Sequence, residues 1–147
     1  MRIGVIVDKC APFYVGGYED RYWNIARRLA TRNEVRVYTT LPGALENRGG
    51  VSFYPLLTPS VQSLHPFDRS MIHSVLFSAS LLRTPFGNWE PDVVIVEAIP
   101  YIHLISAKRW LAAGRWKTVL NVNEAWWDYS YCHKDKPPPL LLVPRDP

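Results

Sequence analysis

Cysteine is nearly missing from this chain. Cys10 and Cys132 are the only two in 147 residues. That is too few for a disulfide framework, and their spacing is not that of a zinc site, so a reduced, cytosolic protein is the expectation. Long apolar runs are missing as well. The longest are a few residues, such as Leu140 to Val143, against the roughly 18–20 that a membrane-spanning helix needs. Asp8 cuts short the apolar run at residues 3–7, which argues against a secretory leader. His65, His73 and His133 lack ligand spacing, so no metal is expected. Cys132 beside His133 is a pair of sequence neighbours, which does not make a catalytic dyad. No G-x-G-x-x-G follows the first apolar run and no G-x-x-x-x-G-K-[ST] occurs, which disfavours a dinucleotide enzyme or a P-loop enzyme. A charge of one sign is also lacking. Seventeen Lys and Arg face thirteen Asp and Glu, a net of +4. That balance permits phosphate, nucleic acid or anionic lipid as partner and demands none. Without a nucleic-acid-binding motif, nucleic acid is not expected.

What is present is enough for a core. Hydrophobic residues make up 48% and charged residues 20%, which excludes a disordered or fibrous chain. Five of the thirteen prolines fall in the last eleven residues. One domain is expected over residues 1–130, followed by an irregular, Pro-rich tail at 131–147.

Residues 1–8 form a β-branched run ending in a carboxylate, a strand buried on both faces. A turn-rich loop at 9–17 holds Pro12, Gly16 and Gly17. Residues 18–32 predict a helix, with Tyr18, Tyr22, Ile25, Ala26 and Leu29 on one stripe. Its acids come first and its arginines last, which suits the helix dipole, and Asn33 is placed to close it in a left-handed conformation. Residues 35–40 alternate as a second strand, 41–50 read as a loop, and 51–56 as a third strand whose Pro55 suggests an edge. A helix is predicted over 67–82, with Met71, Ile72, Val75, Leu76, Ala79 and Leu82 on one side. Residues 92–97 are the clearest buried strand. A helix over 101–113 is closed by Gly114, and a fifth strand spans 116–122. This order predicts an α/β, Rossmann-like open parallel sheet with helices on both faces and strand order 3-2-1-4-5. Ligands in such sheets sit beyond the carboxyl ends of the strands, where the order reverses. The loops after strands one and four meet there.

Four groups of residues carry candidate chemistry. Gly16 and Gly17 precede a helix whose free N–H groups suit an anion; a simple tight turn explains them equally well. Asn121, Asn123 and Glu124, with Trp126, Trp127 and Tyr129, suit a sugar, since indoles stack on its apolar faces while amide and carboxylate take its hydroxyls. A partner interface is the competing reading. Glu97 ends the fourth strand and faces the crevice, while His103 reads as a structural histidine. Lys108, Arg109, Trp110, Arg115, Trp116 and Lys117 interleave cations with indoles, as at a membrane–water boundary. Solvated helix ends with snorkelling stems are the competing reading.

The order of these features resembles the start of GT-B glycosyltransferases of family 4. Gly16-Gly17-Tyr18-Glu19 resembles their GG-x-E loop, and Ile25-Ala-Arg-Arg-Leu-Ala30 resembles the pattern along their first helix. Residues 34–40 resemble their H-x-V-x-V-x-T stretch. Pro91-Asp-Val-Val-Ile-Val96 and Thr118-Val-Leu-Asn-Val-Asn-Glu-Ala-Trp126 resemble two later strands. The resemblance covers residues 1–130. It implies a retaining transfer of a sugar from a nucleotide-sugar to an acceptor, with no cofactor and no required metal, in a cleft between two Rossmann-like domains. Gly16 and Gly17 would lie near the donor diphosphate, and Glu97, Asn123, Glu124 and Trp126 near acceptor or transferred sugar. Where the family usually carries a histidine facing the donor sugar, this chain has Asn123, which cannot accept a proton at neutral pH. No catalytic residue is therefore assigned. The donor-binding half, with its paired glutamates, has no counterpart in these 147 residues, so the chain is expected to be inactive alone and to need that half in cis or in trans. A cytoplasmic location is expected, with peripheral contact at the inner face of a membrane as an addition. A non-catalytic adaptor that pairs with a separate donor-domain chain is the alternative. A small Rossmann-like protein with another nucleotide ligand is the third.

Overall fold

The computed structural model describes residues 1–41, 43–57, 71–98 and 101–122. The elements run β1 (Arg2–Ile6), α1 (Gly17–Ala30), β2 (Glu34–Thr40), β3 (Glu46–Arg48), β4 (Val51–Leu57), α2 (Met71–Ser80), β5 (Val93–Glu97), α3 (Ile102–Ala113) and β6 (Lys117–Asn121). They build one six-stranded sheet in the order β3-β4-β2-β1-β5-β6. Every pairing is parallel except β3 with β4. The fold is thus an α/β, Rossmann-like open sheet, and the order of its five parallel strands is the expected one.

The sixth strand corrects the sequence reading of residues 41–50. Gly49 and Gly50 both have positive φ, 54° and 79°, the geometry that a two-residue hairpin turn matched to strand twist requires. They fold β3 back on β4 through Glu46↔Phe53 to Arg48↔Val51. Pro55 lies past the end of that short strand, so β4 is an edge there, where a missing N–H costs least.

Strand alternation sorts the core into two layers. Ile3, Val5, Val7, Val35, Val37 and Phe53 pack under α1 through its buried Tyr22 and Ala26. Ile6, Tyr38, Val94 and Val96 pack under α2 and α3 through Phe77, Leu81, Ala107 and Trp110. Each large side chain buried this way contributes about 1.5–3 kcal/mol.

Three details differ from expectation. Among the described residues no non-glycine has positive φ; Asn33 instead closes α1 with its side chain, Nδ2 donating to the Leu29 carbonyl at 2.9 Å. On α2 the buried face is His73, Phe77 and Leu81, while Ile72, Val75 and Leu82 are exposed. The helix is apolar all round, so periodicity found a stripe but not the one the sheet takes. Trp110 is a core side chain as well, and Trp116 is half-buried against the same cluster. Trp110 is buried and its Nε1 donates to the Leu81 carbonyl at 2.8 Å. Trp116 meets the Phe86 ring edge-on at 5.3 Å. The interleaved surface expected at residues 108–117 therefore keeps its cations and the exposed part of Trp116, and loses Trp110 to the core.

Candidate functional site

The sheet order reverses between β1 and β5, and both strands end in buried carboxylates: Asp8 just after β1, 1% exposed, and Glu97 closing β5, 0% exposed. Alternation sends them to opposite faces. Glu97 follows Ile95 on the α1 side and pairs in register with Asn121 of β6. Asn121 Nδ2 donates to the Tyr22 hydroxyl of α1 at 2.9 Å. Cys10, in the loop after β1, belongs to the same layer. Its thiol is pushed up to about 12, first by burial and then by the charges of Glu19, Glu97 and Asp20. A buried, carboxylate-rich cluster of Glu19, Glu97, Cys10 and Tyr22, with the half-buried Asn121 at its edge, thus lies on the α1 side.

On the other side, His73 of α2 places Nε2 2.5 Å from Asp8 Oδ1, and Thr40 Oγ1 donates to the same oxygen at 3.4 Å. Thr39 Oγ1 and the Thr40 N–H both donate to the Asp8 carbonyl. Asp8 Oδ2 is buried with no hydrogen-bond partner among the described residues. His103 is buried, and its Nε2 lies 2.6 Å from the Glu97 carbonyl. A carbonyl only accepts, so the proton is on Nε2. This is the structural histidine the sequence suggested.

Gly16 and Gly17 stand where expected, at the start of α1, with the Asp20 N–H donating to the Gly16 carbonyl at 2.9 Å. They are not equivalent. A Cβ on Gly16 would collide with the carboxylate of Glu19, whereas Gly17 has open space around it. Glu19 is the third helical residue and folds back over the N-cap, as the acidic partner of a capping box does. Asn123, Glu124 and Trp126 lie outside the described residues.

Asp8, Cys10 and His73 were not singled out as site residues by sequence reasoning. Asp8 carried a signal, being the polar residue that ends a buried strand at the reversal. His73 carried none, since its partner is 65 positions away. Among the described residues no group of His, Cys, Asp and Glu is placed to hold a metal ion. An open groove of about 690 Å³, lined by Trp110, Arg115, Trp116, Lys117, Glu90 and Asp92, lies at the amino ends of the strands, away from the buried Glu97 cluster.

No protein-family model matches the chain, and no curated protein matches it. Among solved structures it is similar to a sucrose-phosphate synthase from Thermosynechococcus elongatus, with a TM-score of 0.63 and 9% identity over 88% of this chain. At that identity the likeness is one of fold, that of a GT-B-like domain. The chain spans 35% of the length of that protein.

Proposed function

We propose that this chain is the acceptor-side half of a GT-B glycosyltransferase of the family 4 type, working with a donor-binding half in cis or in trans. The observation that carries the reading is the buried carboxylate cluster at the reversal of the sheet, with Glu97 in register with Asn121 and Glu19 lying over Gly16. Carboxylates accept from hydroxyl groups and repel phosphates, and an amide both accepts from and donates to hydroxyls, so this cluster suits a sugar acceptor better than a nucleotide. Glu97, Asn123 and Glu124 would hold hydroxyls, and Trp126 would stack on a ring face. Gly17, whose surroundings are open, would be the point of closest approach to the donor diphosphate. Gly16 is covered by Glu19. The transfer itself, a retaining one from a nucleotide-sugar without a cofactor or a metal, would rest on electrostatic stabilisation of the departing diphosphate and the cation-like sugar, most of it supplied by the donor half.

The test is amide chemical-shift mapping of the purified chain with a panel of saccharides and, separately, with nucleoside diphosphates. Saccharides should move Gly16, Gly17, Glu97 and Asn121, and nucleotides alone should not bind tightly. Tight binding of a bare nucleotide would favour a small Rossmann-like protein with another ligand. Transfer of labelled sugar by the isolated chain would overturn the division into halves.

A further inference from the structure

We propose that the outer surface of the α2–α3 layer docks on an anionic lipid bilayer, a property independent of the glycosyl-transfer reading. The inward faces of both helices are spent on the sheet, through His73, Phe77 and Leu81 on α2 and His103, Ala107 and Trp110 on α3. The outward faces and the turn after α2 are apolar where solvent would favour polar residues: Ile72 on α2 is 64% exposed, Leu82 in the turn 68% and Ile105 on α3 76%. Apolar side chains grouped on one surface mark an interaction site.

The charges around this ridge select its partner. Residues 71–89 and 101–117, which carry both helices, contain no Asp or Glu. Arg83, Lys108 and Arg109 are all exposed there. Lys108 and Arg109 follow Ile105 by three and four positions, so aliphatic and cation share one face of α3. α1, on the opposite side of the sheet, mixes Glu19 and Asp20 with its arginines. A second copy of this chain would bring like charges together across a symmetric contact, which disfavours self-association. A bilayer with anionic headgroups meets both needs at once: aliphatic tips enter the acyl boundary while the three cations sit among the phosphates. Reversible anchoring of a folded protein takes two such signals. No described helix is long and apolar enough to cross a membrane, so the contact is peripheral.

Vesicle flotation of the full chain tests this, with phosphatidylcholine vesicles and with vesicles enriched in phosphatidylglycerol. The chain should float with the anionic vesicles at low salt and be released by high salt, which screens the headgroup attraction. Lys108→Gln with Arg109→Gln should weaken partitioning roughly 25-fold, at about fivefold per cation. Leu82→Ser with Ile105→Ser should weaken it about tenfold or more, with an unchanged circular dichroism spectrum because both sites are exposed. Equal flotation on neutral vesicles, flotation on neither, or variants that float like the parent would overturn the proposal. So would sedimentation showing a dimer that Ile105→Ser dissolves.

Discussion

The helices α1 and α2 lie on opposite faces of one sheet and obey different rules. α1 is polar on one side and apolar on the other; it buries Tyr22 and Ala26 and leaves its arginines in solvent. α2 has no charged residue. It turns a histidine and Ser78 inward and leaves Ile72 and Val75 outside. The difference comes from what each helix covers. α1 meets the sheet through Tyr22, whose hydroxyl takes the Asn121 amide beside Glu97, whereas α2 begins beside the carboxylate of Asp8 and meets it with an imidazole. A buried carboxylate without partners is costly, so the position of Asp8 decides the rotation of α2.

Substitutions can sharpen this contrast. The largest effect belongs to the buried faces: Tyr22→Ala on α1 and Phe77→Ala on α2 should each cost about 3–5 kcal/mol in urea unfolding. A small loss at Phe77 would mean that α2 is turned otherwise. Next comes Asp8→Asn, which keeps an acceptor for His73 but weakens the bond; a loss of about 1–3 kcal/mol is expected. The same loss should shrink when His73 is already replaced by Leu, because the two side chains form one unit.

The α1 side has its own signature in alkali. The Cys10 thiol is raised from 9.0 to about 12 by burial and nearby carboxylates, so the unfolded chain loses this proton first. Stability should be fully present below pH 9 and fall as pH rises from 9 towards 12, by at most about 1.4 kcal/mol per pH unit. Tyr38, raised from 10.0 to about 12 chiefly by burial, adds a fall of the same sign above pH 10. Urea midpoints against pH would show it, and Cys10→Ala should flatten the curve between 9 and 10. The smallest effect is on the outer face of α2, where Ile72→Ser should change stability by no more than about 0.5 kcal/mol.

Much of this architecture was legible from residue order. Alternating and β-branched runs located five strands, and the rule that sheet order reverses after strand one picked out the carboxyl ends of β1 and β5. The β3–β4 hairpin was hidden because Glu46, Asn47 and Arg48 have no strand signature; only Gly49-Gly50 hinted at it. The face of α2 was unreadable because every side of that helix is apolar enough to bury. Glu97 was legible as a carboxylate closing a buried strand. The Asp8–His73 contact was not, since it joins elements far apart in the chain through one rotation of a helix. Trp110 read as a surface indole because its neighbours are basic, yet one turn of α3 exposes Lys108 and Arg109 and buries the Trp110 ring.

The sealed thiol of Cys10 also makes the cluster able to report on itself. With Cys132 replaced by Ser, a soluble disulfide reagent reaches Cys10 only when the loop after β1 lifts away from α1. The labelling rate at neutral pH then counts those openings, much as amide exchange counts local unfolding. A saccharide seated against Glu97 and Asn121 would slow that clock, giving a readout of occupancy that needs neither turnover nor a donor.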